Sequence, residues 1–242
     1  MSKKVLWLVT ARSGSKSIPN KNIKPLGGIP LLAIRIKSAL AFAEKEDVWI
    51  STDSNEYAGI AESYGATVPF LRPAELSVDT SKSEDAIIHA MEWAEKLGKK
   101  YDAIAVLEPT SPFITANQLL DSLQMLFNNS ESNCIVAVRE TRPSTFYIQP
   151  DNRFLDVIAR NIAQKGILRR QDERKEITPS GGIYISRWNA FKEKRSFYTE
   201  KTLAYLVPDI NGLEIDEPLD WLWAEFLLEK DIISLDSLFK VG

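Results

Sequence analysis

Val5-Leu6-Trp7-Leu8-Val9-Thr10 runs without a break into Ala11-Arg12-Ser13-Gly14-Ser15-Lys16-Ser17-Ile18-Pro19-Asn20-Lys21-Asn22. The first part is a nearly continuous apolar run, as a strand covered on both faces of a sheet requires. The second part is polar and small. Gly14 and the serines let backbone amides come close to an anion. Arg12, Lys16 and Lys21 add positive charge of the kind a phosphate chain needs. The loop is not a Walker A loop, because it lacks the spaced glycine pair and the Gly-Lys-Ser/Thr ending, and it is not a dinucleotide fingerprint. Alone, it reads equally as a solvated basic turn.

Working outward, Val48 to Thr52, Thr67 to Leu71, Ala103 to Leu107 and Cys134 to Val138 repeat the short apolar pattern and read as strands. Pro30 to Ala43, Asn55 to Tyr64, Ser83 to Leu97 and Ala116 to Phe127 lie between them with helical spacing, and Pro30 suits a first helical position. This alternation predicts an α/β fold with a mainly parallel sheet sandwiched by helices. In such sheets ligands bind beyond the carboxyl ends of the strands. The rhythm breaks after Val138. Arg139 to Thr178 is polar and charged, with Phe146, Tyr147, Phe154 and Leu155 interspersed, and the main sheet is expected to resume at Gly182-Ile183-Tyr184-Ile185. The chain therefore reads as one domain over residues 1–242 with an excursion over 139–178, whose aromatics suit an interface.

Bulk properties narrow the field. The 242 residues carry a formal net charge of -3 with 44% hydrophobic residues, enough for a sizeable core. That charge argues against a general nucleic-acid binder, which needs a basic surface. No apolar run is long enough to span a bilayer, and the one after Met1-Ser2-Lys3-Lys4 is too short for a signal peptide. Cys134 is the sole cysteine, so no internal disulfide forms and a reducing, cytoplasmic setting fits. His89, the sole histidine, reads as a helix packing residue, and Trp188, Trp221 and Trp223 as core or interface.

The first loop and its sequel Ile23-Lys24-Pro25-Leu26-Gly27-Gly28-Ile29-Pro30-Leu31 resemble the nucleotide-binding signature of the sialic acid (acylneuraminate) cytidylyltransferases. Further segments agree in order: Ile50-Ser51-Thr52-Asp53, Leu71-Arg72-Pro73-Ala74-Glu75-Leu76 with Asp79-Thr80-Ser81, Leu107-Glu108-Pro109-Thr110-Ser111-Pro112, Ser180-Gly181-Gly182-Ile183-Tyr184-Ile185 and Glu214-Ile215-Asp216. The resemblance implies a nucleotide-diphospho-sugar transferase-like fold and transfer of CMP from CTP to a keto sugar acid, with magnesium. It implies that Arg12, Ser15, Lys16 and Lys21 hold the CTP phosphates, Asn22 the nucleotide and Arg72 the cytosine side. Arg12, Lys21 and Asp216 would be catalytic. Glu108, Ser111, Arg170 and Ser180 would face the sugar, with Arg170 on its carboxylate. Asp216 and Glu214 would hold magnesium, and the excursion would form a homodimer.

Glu214 and Asp216 stand two apart, so an extended backbone points both carboxylates to one side. Asp216 also precedes Glu217-Pro218 and could cap a helix there. The sequence departs from the resembled family, which usually has glutamine at Glu108, Leu-Arg at Phe113-Ile114, arginine at Thr178, asparagine at Ser180 and aspartate at Glu214. Most of these changes fall on the sugar side. With Phe113 and Ile114 read as an apolar sugar wall, they favour a legionaminic or pseudaminic type of acid over N-acetylneuraminic acid. Two rivals stay open: an enzyme for another sugar acid such as 3-deoxy-octulosonate, and a catalytically inactive nucleotide-binding homologue.

Overall fold

The computed structural model describes residues 3–78, 80–141 and 176–242. Its elements are β1 (Val5–Thr10), β2 (Pro25–Leu26), β3 (Ile29–Pro30), α1 (Leu31–Leu40), β4 (Val48–Ser51), α2 (Asn55–Ser63), α3 (Ser83–Lys96), β5 (Ala103–Leu107) and α4 (Ala116–Asn128). They continue with β6 (Cys134–Thr141), β7 (Glu176–Arg187), α5 (Trp188–Lys194), β8 (Thr202–Leu206), α6 (Pro218–Glu229) and α7 (Leu235–Leu238). Among the described residues, six strands form one sheet in the order β4-β1-β5-β7-β6-β8. β4, β1 and β5 pair in parallel, as do β6 and β8, while β7 runs against both β5 and β6. The mainly parallel sheet expected from the sequence is present, with one reversed strand inserted in it.

The continuous apolar reading of β1 follows from its two faces. Val5, Trp7 and Val9 pack with Leu32 and Ile36 of α1 and Leu119 and Leu126 of α4. Leu6 and Leu8 point the other way, into Ile87 and Met91 of α3 and Trp188 and Phe191 of α5. Successive residues of a strand face opposite sides, so a sheet covered twice needs apolar residues at every position. Each fully buried leucine of β1 contributes roughly 1.5–3 kcal/mol.

Two sequence expectations change, and one strand is added. Thr67 to Leu71 is not a strand: only Thr67 bridges to Trp49. Pro69 has no N–H to donate, so pairing stops there. β8 adds a strand beyond those expected, and its pattern of half-exposed residues is that of a sheet edge. The excursion's bounds fall on a paired position, Arg139 opposite Thr178, and the ladder runs on to Thr141 opposite Glu176. The sheet is therefore not left at Arg139.

A third apolar cluster sits beside the sheet. It joins Ile18 of the first loop, Leu26 of β2, Leu31 and Ile34 of α1, Phe113, Ile215, and Trp221, Ala224 and Leu227 of α6. Ile18 and Ile215 are buried in the same cluster although they are far apart in sequence. Their burial brings the basic first loop and the acidic 214–216 segment to one end of the sheet. Phe113 and Ile114 are fully buried there and in the adjoining core, so they form no sugar wall, contrary to the sequence expectation.

Candidate active site

A cleft of about 660 Å³ opens at the carboxyl ends of β1 and β5. Arg12, Ser15, Lys16, Lys21, Asn22, Arg72, Glu108, Glu214 and Asp216 all line it. Thr10, Ser17, Ser83, Pro109, Thr110 and Glu217, which the sequence reading did not single out, line it as well. Ser111 and Ser180 are fully buried behind it, and their hydroxyls find no partner among the described residues. Arg170 and Asp79 lie outside the described residues.

The first loop is fixed at several points. Asn22 Nδ2 donates to the Arg12 carbonyl at 3.0 Å, closing the loop on itself. Asn20 adopts a left-handed turn at φ 52°, which asparagine tolerates, and Lys21–Ile23 follow as one 3-10 turn. The tip is held from the next strand: Asp53 accepts from the Ser13 amide and from the Ser13 hydroxyl, each at 2.9 Å. Asp53 lies 40 residues from Ser13 in sequence, and only the fold brings the two together.

Arg72 is buried, with Nη2 donating to the Ser51 carbonyl at 2.6 Å and Nε left without a partner among the described residues. Burial lowers its pKa, and the nearby Asp53 charge works against that. A guanidinium fixed through Nη2 and lining the cleft is preorganised to meet a planar polar ligand.

On the opposite wall, Lys21 Nζ donates to the Ile215 carbonyl at 2.8 Å and to Asp216 Oδ1 at 3.1 Å. Residues 213–216 belong to no strand, and Ile215, buried between the two acids, donates its amide to the Thr110 carbonyl at 2.7 Å. Glu214 and Asp216 therefore both face the cleft. Glu214 accepts from the Gly181 amide at 2.7 Å. Asp216 does not cap α6: Glu217 is the cap, and Asp220 accepts from the amides of both Asp216 and Glu217. The Asp216 carboxylate is thus left for the cleft, paired with Lys21.

Gly181 and Gly182 let β7 pass flush under the loop after β5. A Cβ on Gly181 would lie 2.6 Å from Glu108 Oε2, and one on Gly182 would lie 2.3 Å from Ile114 Cγ1. Glu108 is pressed into this floor. Burial and the charges of Glu214 and Asp216 push its pKa up to about 7, while Arg35 and Lys21 oppose the rise. The excess of negative charge around Glu214 and Asp216 is what a divalent cation would relieve, and hard carboxylate oxygens suit magnesium, which binds through one or two carboxylates plus substrate phosphates. Among the described residues, no group of three or more acidic, histidine or cysteine side chains forms a closed metal site. An open, two-carboxylate site that shares its ion with a nucleotide is compatible with this donor set.

The cytidylyltransferase family model matches residues 6–170. The chain belongs to that family. Over 235 residues it is 32% identical to the N-acylneuraminate cytidylyltransferase of Escherichia coli O18:K1:H7 (strain RS218 / NMEC), covering 95% of this chain and 53% of that protein. The chain thus spans about half the length of that relative. It is 30% identical over 237 residues to the CMP-N,N'-diacetyllegionaminic acid synthase of Legionella pneumophila subsp. pneumophila (strain Philadelphia 1 / ATCC 33152 / DSM 7513), covering 93% of this chain and 97% of that one. A solved structure of a CMP:2-keto-3-deoxy-manno-octonic acid synthetase complexed with CTP superposes with a TM-score of 0.66 at 16% identity, covering 94% and 99% of the two chains. That likeness is one of fold.

A side pocket of about 170 Å³ shares Thr10, Ser83 and Glu108 with the cleft. Its far walls are Ile87, Val106, Tyr184, Phe197 and Tyr198. Tyr184 stacks near Phe197 at 5.3 Å between ring centroids and meets Tyr198 edge-on at 6.4 Å. Burial, then the Glu108 charge, raises the Tyr184 pKa, so its hydroxyl stays protonated. The sequence reading missed these aromatics because they come from β7 and from the segment after α5, and only the sheet order brings them beside Glu108. His89 packs edge-on to Phe70 at 4.5 Å, as a helix packing residue should, and its buried Nδ1 has no partner among the described residues. Among the described residues no helix is long and apolar enough to cross a membrane.

Proposed function

We propose that this cytidylyltransferase joins CMP from CTP to a nonulosonic keto sugar acid and releases pyrophosphate. The observation that carries the proposal is the single cleft in which the cationic first loop, buried Arg72 and the Glu214–Asp216 pair face one another. Nucleotidyl transfer needs little covalent chemistry from the protein. It needs positioning and charge neutralisation around the α-phosphate. In this reading Arg12, Ser15, Lys16 and Lys21 hold the phosphates, Asn22 keeps the loop closed, and Arg72 meets the cytosine. The sugar's anomeric hydroxyl attacks the α-phosphate in line. Glu214 and Asp216 would hold magnesium, which when bound offsets charge on the phosphates. Arg170 would face the sugar carboxylate.

The side pocket supports a sugar with an acylamino or methyl substituent, because aromatic walls bury an apolar group and tyrosine hydroxyls meet an amide. The similarity to an enzyme named for N,N'-diacetyllegionaminic acid, matched over nearly its full length, supports the same class. We favour a legionaminic or pseudaminic type of acid over N-acetylneuraminic acid. The support is this pocket and that similarity, not the Phe113-Ile114 argument. The protein acts as a cytoplasmic homodimer on this reading, with the segment 139–178 at the interface. Light scattering at micromolar concentration tests the dimer: a monomeric mass contradicts it.

Pyrophosphate release with CTP and a panel of keto sugar acids tests the whole proposal. Turnover with a nonulosonic acid is expected. Turnover only with 3-deoxy-octulosonate would move the enzyme to the neighbouring class, and none with any acid would leave an inactive nucleotide-binding homologue.

A further inference from the structure

Arg35 is a cation in the middle of an apolar helix. It lies on α1 among core residues and is 0% exposed. Nη1 donates to the Ile114 carbonyl at 3.1 Å and Nη2 to the Gly182 carbonyl at 2.8 Å, while Nε is buried without a partner among the described residues. A guanidinium withdrawn from water costs several kcal/mol unless other charges and acceptors compensate it. Two carbonyls satisfy part of its hydrogen-bonding capacity. The acid whose charge bears on it is Glu108.

The two carbonyls are not arbitrary. Ile114 ends the loop that begins at Glu108, and Gly182 lies in β7 beside Gly181, against which Glu108 Oε2 is pressed. Arg35 therefore ties together, from below, both backbone segments that form the floor under the Glu108 carboxyl. The Glu108 carbonyl accepts from the Ser111 amide at 3.2 Å, whereas its carboxylate faces both the cleft and the side pocket. An acceptor so placed is open to a ligand. The resembled family usually has a neutral glutamine here, which needs no counter-charge. A glutamate brings a negative charge toward a substrate that is itself an anion, and a buried cation beneath it offsets that charge.

We propose that Arg35 is the positioning residue of the sugar-side floor and the counter-charge of Glu108, and that Glu108 is the acceptor for a donor group of the sugar acid, a hydroxyl or an amide N–H. The proposal rests on the function proposed above.

A double-mutant cycle with Arg35→Met, Glu108→Gln and the pair, made in the full chain, tests it. Arg35→Met should lower kcat/KM for N,N'-diacetyllegionaminic acid by about tenfold or more, as for a lost charge-assisted contact. KM for CTP should stay within about twofold, because nucleotide contacts are untouched. In the Glu108→Gln background, adding Arg35→Met should cost little further, so the double variant should match Glu108→Gln alone rather than show the product of the two losses. The fall in melting temperature caused by Arg35→Met should be smaller when Glu108→Gln is already present. Additive effects in both readouts overturn the proposal. If Arg35→Met does not fold in either background, Glu108→Gln alone decides. It should lower kcat/KM for the sugar acid by about fivefold or more with KM for CTP unchanged, and unaltered sugar use overturns the proposal. Absence of turnover in the unsubstituted enzyme with every acid would sink the functional reading instead, and the melting-temperature cycle would still judge the Arg35–Glu108 coupling.

Discussion

Lys21 binds the acidic segment twice, through the Ile215 carbonyl at 2.8 Å and Asp216 Oδ1 at 3.1 Å. The two contacts differ in weight. The carbonyl bond is buried, whereas the Asp216 side chain is 64% exposed and its ion pair is screened by water. An exposed ion pair contributes about 0–1 kcal/mol, so Lys21 matters more as a fixed cation than as a stabilising bridge.

Lys21→Met should therefore raise KM for CTP by roughly tenfold to a hundredfold, the worth of one or two charge-assisted hydrogen bonds. The melting temperature should fall as well, because the buried Ile215 carbonyl loses its donor at a cost of about 1–3 kcal/mol. Steady-state kinetics with CTP varied, beside a thermal melt, give both numbers. Unchanged KM would place Lys21 outside phosphate binding.

Asp216 and Asp220 separate function from folding. Asp220 accepts from two amides at the start of α6, so Asp220→Ala should cost about 0.5–2 kcal/mol of stability. Asp216 holds no cap, so Asp216→Asn should leave the melting temperature nearly unchanged while abolishing turnover at saturating magnesium. A fully active Asp216→Asn enzyme would remove Asp216 from the metal site.

Asp53 fixes Ser13 by two bonds at 2.9 Å and sits near the Arg72 charge. Asp53→Ala leaves the tip of the first loop unanchored. KM for CTP should rise by about tenfold, as for a loop held by a charged acceptor, with KM for the sugar acid little changed. Asp53→Asn keeps one acceptor and should recover part of the loss. Equal damage to both substrates would mean that the residue only stabilises the fold.

The difference between Asp53 and the loop it holds shows what the sequence made legible. Val5 to Asn22 could be read locally, because apolar continuity, glycine and charge all sit in consecutive residues. The nine cleft residues named from motifs lie outside the sheet strands, and the fold delivers them to one end of the sheet. Arg35, Asp53, Tyr184, Phe197 and Tyr198 carry no local signal. Arg35 interrupts an apolar helix face, and the aromatics read as ordinary core. Their place depends on β7 running backwards between β5 and β6, a topology that strand patterns do not encode. Phe113 and Ile114 failed for the opposite reason: apolar residues in a site motif look like a pocket wall but were needed by the core.

Glu108 gives a pH signature. Its pKa is raised from 4.5 to about 7 by burial first and then by neighbouring negative charge. The folded state therefore holds a proton that the unfolded state has lost between those values. The stability Glu108 contributes is fully present below about pH 4.5 and is lost as pH rises through 7. In metal-free protein, Glu108→Gln should then gain stability relative to the unsubstituted chain as pH rises through that window. Melts of both proteins across that range check the sign. A difference that stays flat would show that the carboxyl is not held in a burying environment.

Tyr198 offers the cleanest handle on the sugar. It forms one side wall of the small pocket and is 53% exposed, so removing the ring opens little core, unlike Phe197, which is packed against Phe191 at 4.7 Å. Tyr198→Ala should leave the melting temperature close to its starting value. The pocket would lose one aromatic wall and one hydroxyl, and an acylamino group would lose both its apolar cover and a polar contact. An aromatic contact of this kind contributes about 0.5–1.5 kcal/mol beyond area burial, so kcat/KM for an N-acylated nonulosonic acid should fall by roughly tenfold. A sugar acid with no such substituent, such as 3-deoxy-octulosonate, has nothing to lose there, and its slower turnover should not change. The ratio of the two specificity constants therefore isolates the pocket from any general damage to the enzyme. If both sugars fall together, the pocket supports the fold of the site without reading the substituent. If neither falls, the sugar lies elsewhere in the cleft, and Glu108 loses its claim to the floor beneath it.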